Sequence, residues 1–209
     1  MNRVRIREIN AGKVPLGEYV VGGWVRTHRQ SKNVSFIELT DGSAVRGLQL
    51  VIDPKIPAYA GIADKIATGC ALIASGHLVK SPAKGQSFEL HVHDLNLVGE
   101  ADPESYPLQK KSHSLEFLRE VLHLRPRSNT IGAVARVRSA AAMAVHQFFQ
   151  ERGFVYVHTP IITTADCEGA GEMFRVTTLD PLHPPVVDGR VDYSEDFFGA
   201  EAGLTAVSY

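Results

Sequence analysis

The stretch VSFIELTDGSAVRGLQLVI, residues 34–52, decides the fold of this chain. Its first part, Val34–Thr40, has the alternating pattern of a strand with one buried face. Asp41-Gly42 follows and is typical of a hairpin turn, and Val45–Ile52 then returns to residues that favour strands. The stretch therefore predicts two strands joined by a tight turn.

Three further predicted strands and one helix lie around this hairpin. Tyr19–His28 precedes it and contains a glycine pair that suits a bulge or bend. After Pro54, the segment Ala58–Cys70 places apolar residues at helical spacing, and Ala71–Lys80 and Phe88–Val98 read as strands again. Five strands with a helix between the third and the fourth predict an OB-fold, a small Greek-key β-barrel.

The strand parity of the hairpin indicates a binding face. Ile37 and Leu39 should face the core, so Phe36 points outward. Arg26 and Arg29 end the first strand and Gln49 lies on the third, where an aromatic ring can stack a base, arginines can hold phosphates and an amide can read base edges. The alternative is that Phe36 belongs to the core and the arginines form a solvated rim. The outward parity favours binding.

Three other residues of the barrel invite a functional reading. His91 and His93 share one face of the fifth strand, but no third ligand is spaced to complete a metal site with them, so we interpret them as surface or groove residues. Trp24 on the first strand is predicted to belong to the barrel core rather than to a stacking platform.

Composition and charge narrow the class of protein. The formal net charge of −1 over 209 residues argues against a protein that coats bulk polyanions. The two cysteines, Cys70 and Cys167, are far apart and suit a reducing compartment better than a disulfide scaffold. No apolar run is long enough to span a bilayer and the first residues do not resemble a signal peptide, so we expect a cytoplasmic protein.

A connector follows the barrel. From residue 99 to 129 the composition changes, and a short helix is predicted from about Ser114, with Leu115, Leu118 and Leu122 on one face and an end before Pro126. Its Lys-Lys and Arg-Pro-Arg clusters can touch phosphates, although a solvated linker explains them equally well.

A long helix opens the rest of the chain. Thr130–Gly153 carries an apolar stripe, with Ser128 or Asn129 available as the N-cap and Gly153 at the end. A strand, Phe154–Val157, is predicted next, and Pro160 should end its pairing.

This order of long helix, Gly-Phe, strand and Thr-Pro resembles the first motif of the class II aminoacyl-tRNA synthetases. The segments YPLQKKSHSLEFLREVLHLRPRSNTIGAVARVR, TADCEGAGEMF and DFFGAEAGLT, together with GWVRTHRQSKNVSFIELTDGS in the barrel, narrow the resemblance to bacterial asparaginyl-tRNA synthetases. Aspartyl-tRNA synthetase is the nearest alternative, and EGAGEMF and HLRPR fit it less well.

The resemblance implies an organisation and a set of site residues. Residues 1–100 would form an OB-fold anticodon-binding domain, 101–129 a hinge, and 130–209 the beginning of an α+β catalytic domain.

In the barrel, Phe36 would stack on the central anticodon uridine, contacted by Arg29 and Gln49, with Arg26 and Glu89 nearby. The first motif, Gly153–Pro160, would form a homodimer interface. The loop from Glu168 to Glu172 would cover the amino-acid pocket, with either carboxylate available for the substrate ammonium and Glu168 preferred.

The resemblance also implies an activity. Relatives attach asparagine to tRNA(Asn) through an asparaginyl-adenylate made with ATP and magnesium. The arginine-bearing second and third motifs of the family do not occur in this sequence, so we expect a truncated part of the enzyme that is inactive alone, binds no cofactor or metal and keeps tRNA binding. No membrane or DNA partner is expected. A freestanding tRNA-binding module, an interaction protein that pairs with a full-length subunit, and an aspartyl-tRNA synthetase-like fragment remain the alternatives.

Overall fold

The computed structural model describes residues 3–165 and 173–204. The chain divides into two compact units, Met1–Ala144 and Val145–Tyr209. Each unit has its own sheets, and the first contains the closed barrel that residues 34–52 predict.

Five strands close the barrel of the first unit. They are β1 (Gly17–Arg29), β2 (Ser35–Thr40), β3 (Leu48–Ile52), β4 (Ala71–Lys80) and β5 (Phe88–Gly99). Their order around the barrel is β1-β2-β3-β5-β4, and β1 pairs with β4 to close it. The pairing of β3 with β5 is parallel and the other pairings are antiparallel. The predicted OB-fold is confirmed.

Leucines and isoleucines from neighbouring strands form the barrel core. Ile37 lies opposite Leu50, Leu50 opposite Leu90, and Leu90 opposite Leu78, and all four side chains are fully buried. Because side chains alternate between the two faces of a strand, this inward row fixes which residues of β2, β3 and β5 point outward. Phe36 is one of them, as its parity predicts.

The segment between β3 and β4 corrects the predicted helix over Ala58–Cys70. It contains only a short α2 (Pro57–Ala60) and a 3₁₀ turn, Ala63–Lys65. Tyr59 is buried, and its hydroxyl lies 2.8 Å from Nε2 of His28 on β1. The tertiary contact of the tyrosine and the turn at Gly61 set the path of this segment more strongly than the apolar spacing does.

A carboxylate fastens the N-terminal helix to the hairpin. In α1 (Ile6–Asn10), the Ile6 backbone N–H donates to Asp41 Oδ2 at 3.0 Å. The Ser43 N–H and hydroxyl donate to Asp41 Oδ1 at 2.9 and 2.6 Å. Burial raises the pKa of Asp41, but these hydrogen bonds outweigh burial and leave the pKa below its usual value.

We expect the substitution Asp41→Ala to lower the free energy of unfolding by about 1–3 kcal/mol, since the donors of Ile6 and Ser43 lose their acceptor. Because the folded pKa of Asp41 is depressed, its contribution is complete above the unfolded value of about 3.9 and is lost as the pH falls through the folded pKa. Urea unfolding at neutral and acidic pH checks this. A difference between parent and variant that stays constant down to acidic pH would contradict the assignment.

The connector packs against the barrel. The ring of Tyr106 covers Gly69, where an added Cβ would lie 2.8 Å from the ring, and Leu108 and Leu118 are buried. The helix of the connector, α3 (Leu115–Glu120), begins as predicted, with the Ser114 hydroxyl accepting from the Phe117 N–H. The predicted end before Pro126 is wrong, since the helix ends at Glu120 and a separate 3₁₀ turn holds Arg125–Arg127.

The next helix, α4 (Asn129–Gln150), confirms the long helix. The Ser128 hydroxyl accepts from the Ile131 N–H at 3.3 Å, as an N-cap does. Gly153 has a φ of +82°, the left-handed conformation that glycine adopts after a helix. Much of the predicted apolar stripe is exposed, including Val134, Val137, Val145 and Phe148.

The second unit carries two small sheets. One has the order β6-β10-β7, built from β6 (Ile162–Thr163), β7 (Arg175–Val176) and β10 (Ala202–Leu204). The other pairs β8 (Val186–Val187) with β9 (Arg190–Val191). The predicted strand Phe154–Val157 is wrong: no described segment pairs with it, and pairing begins only after Pro160, at Ile162. The helices in the described residues include none with the length and apolarity of a membrane span.

Candidate nucleic-acid interface

A groove of about 260 Å³ opens on the outer face of β1, β2 and β3. We call it the reader groove. Two loops border it, one joining β2 to β3 and one joining β4 to β5. Its lining comprises Thr27, Arg29, Phe36, Glu38, Arg46, Gly47, Gln49, Gly85 and Gln86. Three of the predicted site residues, Arg29, Phe36 and Gln49, therefore share one groove.

Arg29 and Phe36 form the floor of the reader groove. They are directly paired across β1 and β2, and the Arg29 guanidinium carbon lies 5.6 Å from the centroid of the Phe36 ring. A cation over an aromatic face is an attractive arrangement that fixes both side chains. The half-buried ring thus offers an apolar surface beside a positive charge, which suits a base and its phosphate.

Gln49 lies on β3, two residues from Val51, which is the residue that pairs with Phe36. Its neighbours across the strands are Glu38 on β2 and Glu89 on β5. The amide both donates and accepts hydrogen bonds, so it can pair with the edge of a base that rests on Phe36. Glu38 is approached by Arg26 Nη1 at 4.0 Å, which balances part of its charge.

Glu89 is closed off from the reader groove. Its side chain points outward, yet the residue is only 7% exposed because the β4–β5 loop covers it. The Ser81 hydroxyl and Gln86 Nε2 donate to Glu89 Oε2 at 2.8 and 3.2 Å, and His91 Nε2 lies 3.0 Å from Glu89 Oε1. Glu89 holds the loop in place, and Gln86 lines the reader groove instead.

Six of the nine groove residues are absent from the sequence-based set, and two of them, Arg46 and Gly47, shape the groove. Arg46 spans the groove mouth, where its Nη1 donates to the Gly85 carbonyl at 2.7 Å and ties the two bordering loops together. Gly47 allows β3 to approach β2, since an added Cβ would lie 2.6 Å from the Leu39 carbonyl oxygen. The basic residue beside a glycine before β3 is the only sequence signal for them.

Arg26 lies outside the reader groove. A register shift between Val25 and Thr27 places it at a β-bulge, where it turns toward the connector. Its Nη2 donates to Asn129 Oδ1 at 2.6 Å and its Nη1 to the Val45 carbonyl at 3.2 Å. The structure therefore separates Arg26 from Arg29 and Phe36.

Trp24 is the clearest correction to the predicted core. The residue is 39% exposed, because Val21 and Val25 occupy the inward positions of β1. Arg127 from the connector lies over its ring, with the guanidinium carbon 4.7 Å from the ring centroid. The connector supplies a contact for Trp24 that the strand alone does not reveal.

Comparisons with known proteins agree with this geometry. The family model described as an OB-fold nucleic acid binding domain matches residues 19–98, and that of tRNA synthetases class II (D, K and N) matches residues 114–182. A protein named asparagine–tRNA ligase from Geobacter metallireducens is 60% identical over 97% of the chain, and one from Synechocystis sp. is 54% identical over 98%.

Over nearly its whole length the chain is a homologue of asparaginyl-tRNA synthetases. It spans 44% of the length of each of these two relatives. The solved asparaginyl-tRNA synthetase of Entamoeba histolytica has the same fold, with a TM-score of 0.73, 20% identity and coverage of 98% of this chain and 43% of that one. The enzyme from Pyrococcus horikoshii complexed with asparaginyl-adenylate has a TM-score of 0.71 and 21% identity, covering 84% of this chain and 40% of that one.

Three histidines of the barrel, His77, His91 and His93, lie within hydrogen-bond distance of carboxylates. His77 Nδ1 and His93 Nε2 each lie 3.0 Å from an oxygen of Glu18, whose pKa is lowered by the hydrogen bonds from His93 and His77. Across residues 3–165 and 173–204, no three His, Cys, Asp or Glu side chains converge as a metal site would require. His91 and His93 therefore bind carboxylates here.

The remaining site residues implied by the family lie in the second unit. Gly153 follows α4, and the exposed residues 154–160 extend from it to Pro160. Glu168 and Glu172 lie outside the described residues.

Proposed function

We propose that the barrel binds the anticodon of tRNA(Asn), and that the protein functions in joining asparagine to that tRNA. The observation that carries the proposal is the reader groove. An outward aromatic ring, an arginine over that ring and the amide of Gln49 lie together on the strand face that OB-folds use for nucleic acids. Because the chain resembles asparaginyl-tRNA synthetases, we propose that the anticodon loop is the RNA segment that binds in this groove.

The groove suits one splayed base. The Phe36 ring gives the base a stacking surface, Gln49 faces its edge, and Arg29 and Arg46 supply positive charge at the rim. Glu89, with both oxygens engaged, acts as a positioning residue by holding the β4–β5 loop beside Gln49. For the GUU anticodon, the central uridine is the base we assign to Phe36.

The ATP and magnesium implied by the family find no fitting site in the described part of the second unit. Arg175 forms a salt bridge in which its Nη2 lies 2.8 Å from Glu201 Oε1. The guanidinium carbon of Arg152 lies 3.6 Å from the centroid of the Phe148 ring. The remaining arginine there is Arg190, and the second unit has no lysine. Since adenylate chemistry needs cations at the phosphates, we assign no step of that chemistry to these residues.

Two further proposals follow from the family. Residues 153–160 would contribute to a homodimer interface, which agrees with the exposure of the apolar side chains of Phe154–Val157. A role in tRNA charging would be carried out in the cytoplasm, and we propose that location.

The proposal is tested by titrating the chain with tRNA(Asn) transcripts at a fixed salt concentration. We expect the transcript with the GUU anticodon to bind more tightly than one with a substituted central anticodon base, by about 1–3 kcal/mol. Fixed salt is required because phosphate contacts make every affinity salt-dependent. Equal affinity for the two transcripts would exclude anticodon reading.

Gln49 gives a sharper test of base reading. We expect Gln49→Ala to reduce the discrimination between the two transcripts by about tenfold, since the amide no longer pairs with the base edge. Competition binding with both transcripts measures the ratio directly. Gln147→Ala, at an exposed glutamine on α4 that is not part of the groove lining, is the matched control and should leave the ratio unchanged. Unaltered discrimination in Gln49→Ala would remove Gln49 from the reader.

A further inference from the structure

A second cavity lies where the connector packs against the barrel. Its volume is about 490 Å³, and we call it the linker cleft. Its barrel side is formed by β1 and β2, including Trp24, Thr27 and Glu38. Its connector side is formed by residues 106–130 that line the same space. The proposal that the barrel reads an anticodon makes no use of this cleft.

The linker cleft carries an excess of positive charge. Lys110 and Lys111 are exposed at its wall, Arg127 lines it beside Trp24, and Arg26 borders it. The only acidic residue in the lining is Glu38. Among the described residues, neither lysine nor Arg127 forms a salt bridge, whereas Arg26 is within 4.0 Å of Glu38. Three cations therefore lack an acidic partner in one concave surface.

Arg127 is held in position without using up its charge. Its guanidinium carbon lies 4.7 Å from the Trp24 ring centroid, and its Nη1 donates to the Tyr106 hydroxyl at 3.3 Å. Both partners are neutral, so they leave the positive charge of the Arg127 guanidinium uncompensated, and its other N–H groups can donate to an anion. An arginine that is oriented in advance loses less side-chain entropy when it binds a planar or tetrahedral anion.

The linker cleft and the reader groove share part of their lining. Thr27 and Glu38 line both of them, so the two surfaces are neighbours along β1 and β2. An RNA that places a loop base in the groove can bring phosphates of its stem to the neighbouring cleft. The two surfaces thus suit different parts of one RNA.

We propose that Lys110, Lys111 and Arg127 bind backbone phosphates of the same RNA whose base stacks on Phe36. The contact extends recognition from the anticodon loop to the neighbouring stem and carries no base information. This inference rests on the proposed anticodon binding and assigns a function to the connector. Phosphodiester groups are the ligand, and free inorganic phosphate shares their chemistry.

The test uses the whole chain, a GUU anticodon stem-loop RNA and the corresponding trinucleotide. For the stem-loop, we expect the double variant Lys110→Ala/Lys111→Ala to bind about tenfold more weakly at low salt. The slope of log K against log salt concentration should become shallower by about 1–2, as the loss of one or two phosphate contacts requires. The trinucleotide, which lacks the stem, should bind parent and variant with nearly equal affinity. Lys13→Ala/Lys55→Ala, at exposed lysines outside both surfaces, is the matched control.

Three outcomes separate the possibilities. An unchanged salt slope in the Lys110→Ala/Lys111→Ala variant, with Phe36→Ala still weakening binding, would overturn this inference and leave anticodon reading intact. Loss of the base dependence of binding in the parent would instead overturn the proposed function. Saturable binding of inorganic phosphate that requires both lysines, with an unchanged RNA slope, would assign the cleft to a free anion and contradict the RNA contact.

Arg127→Lys provides a second variant that keeps the charge. It loses the fork and the stacking geometry on Trp24, so the stem-loop affinity should fall while the salt slope changes little. Equal affinity of Arg127→Lys and the parent would remove Arg127 from the phosphate site.

Discussion

Replacing Phe36 by alanine is expected to weaken binding of the GUU stem-loop by about 1–3 kcal/mol, roughly fivefold to 150-fold. The ring is the stacking surface of the reader groove, and nothing else in the groove lining is aromatic. Because Phe36 is half-buried and points outward from the core row, its removal should cost less stability than truncation of the fully buried Leu50. Fluorescence anisotropy with labelled stem-loop measures the affinity, and a thermal melt measures the stability.

The Phe36→Trp substitution is the control for this result. It keeps a stacking surface and should retain most of the affinity, since stacking depends on the aromatic face rather than on the identity of the ring. Parent-like RNA affinity in Phe36→Ala would contradict the role of Phe36, as would an equal loss of affinity in both variants.

Leu50→Ala should give the largest loss of stability, about 2–5 kcal/mol in the free energy of unfolding of the first unit. Leu50 is fully buried between Ile37 and Leu90, so its truncation opens a cavity in the centre of the barrel. Urea unfolding followed by circular dichroism measures the change. At low temperature, where the barrel remains folded, RNA affinity should stay near that of the parent.

The outward neighbour of Leu50 provides the comparison. Val51→Ala removes a half-buried side chain on the other face of β3 and should cost well under half as much. Equal destabilisation by Leu50→Ala and Val51→Ala would contradict the assigned parity of β3. Phe36→Ala should mainly lower RNA affinity, and Leu50→Ala should mainly lower the free energy of unfolding. This difference would show that the outward face of the barrel binds RNA and that the inward face stabilises the fold.

The hairpin at residues 34–52 shows what sequence can predict. Its alternation fixes the parity of β2 and β3, and parity alone places Phe36 and Gln49 outside and Ile37 and Leu50 inside. A strand has only two faces, so one buried row determines the other. The pairing of Arg29 with Phe36 then follows from the hairpin-like register of β1 and β2.

Features that depend on distant segments could not be predicted in the same way. Trp24 is exposed toward the connector, and Arg127, more than a hundred positions later, covers its ring. Glu89 is closed off by the β4–β5 loop, whose path the strand pattern does not specify. The β-bulge at Arg26 rotates that residue away from Arg29, and a bulge adds one residue that simple alternation does not count.

The two segments predicted with the wrong secondary structure have a common cause. Residues 58–70 have helical spacing, but the contact of Tyr59 with His28 and the turn at Gly61 interrupt the helix. Phe154–Val157 has strand-forming residues, but no described strand lies beside it. A segment adopts the secondary structure that its residues favour only where neighbouring segments pack or pair with it.

A fluorescence measurement with tryptophan at position 36 tests the central claim most directly. Trp24 is the only tryptophan of the chain, so the variant Trp24→Phe/Phe36→Trp reports from the reader groove alone. We predict saturable quenching by the GUU stem-loop, because the central base stacks on the indole, and little quenching by the same stem-loop with an abasic central position. Equal quenching by the two RNAs would contradict the account, since it would show that no anticodon base rests on residue 36.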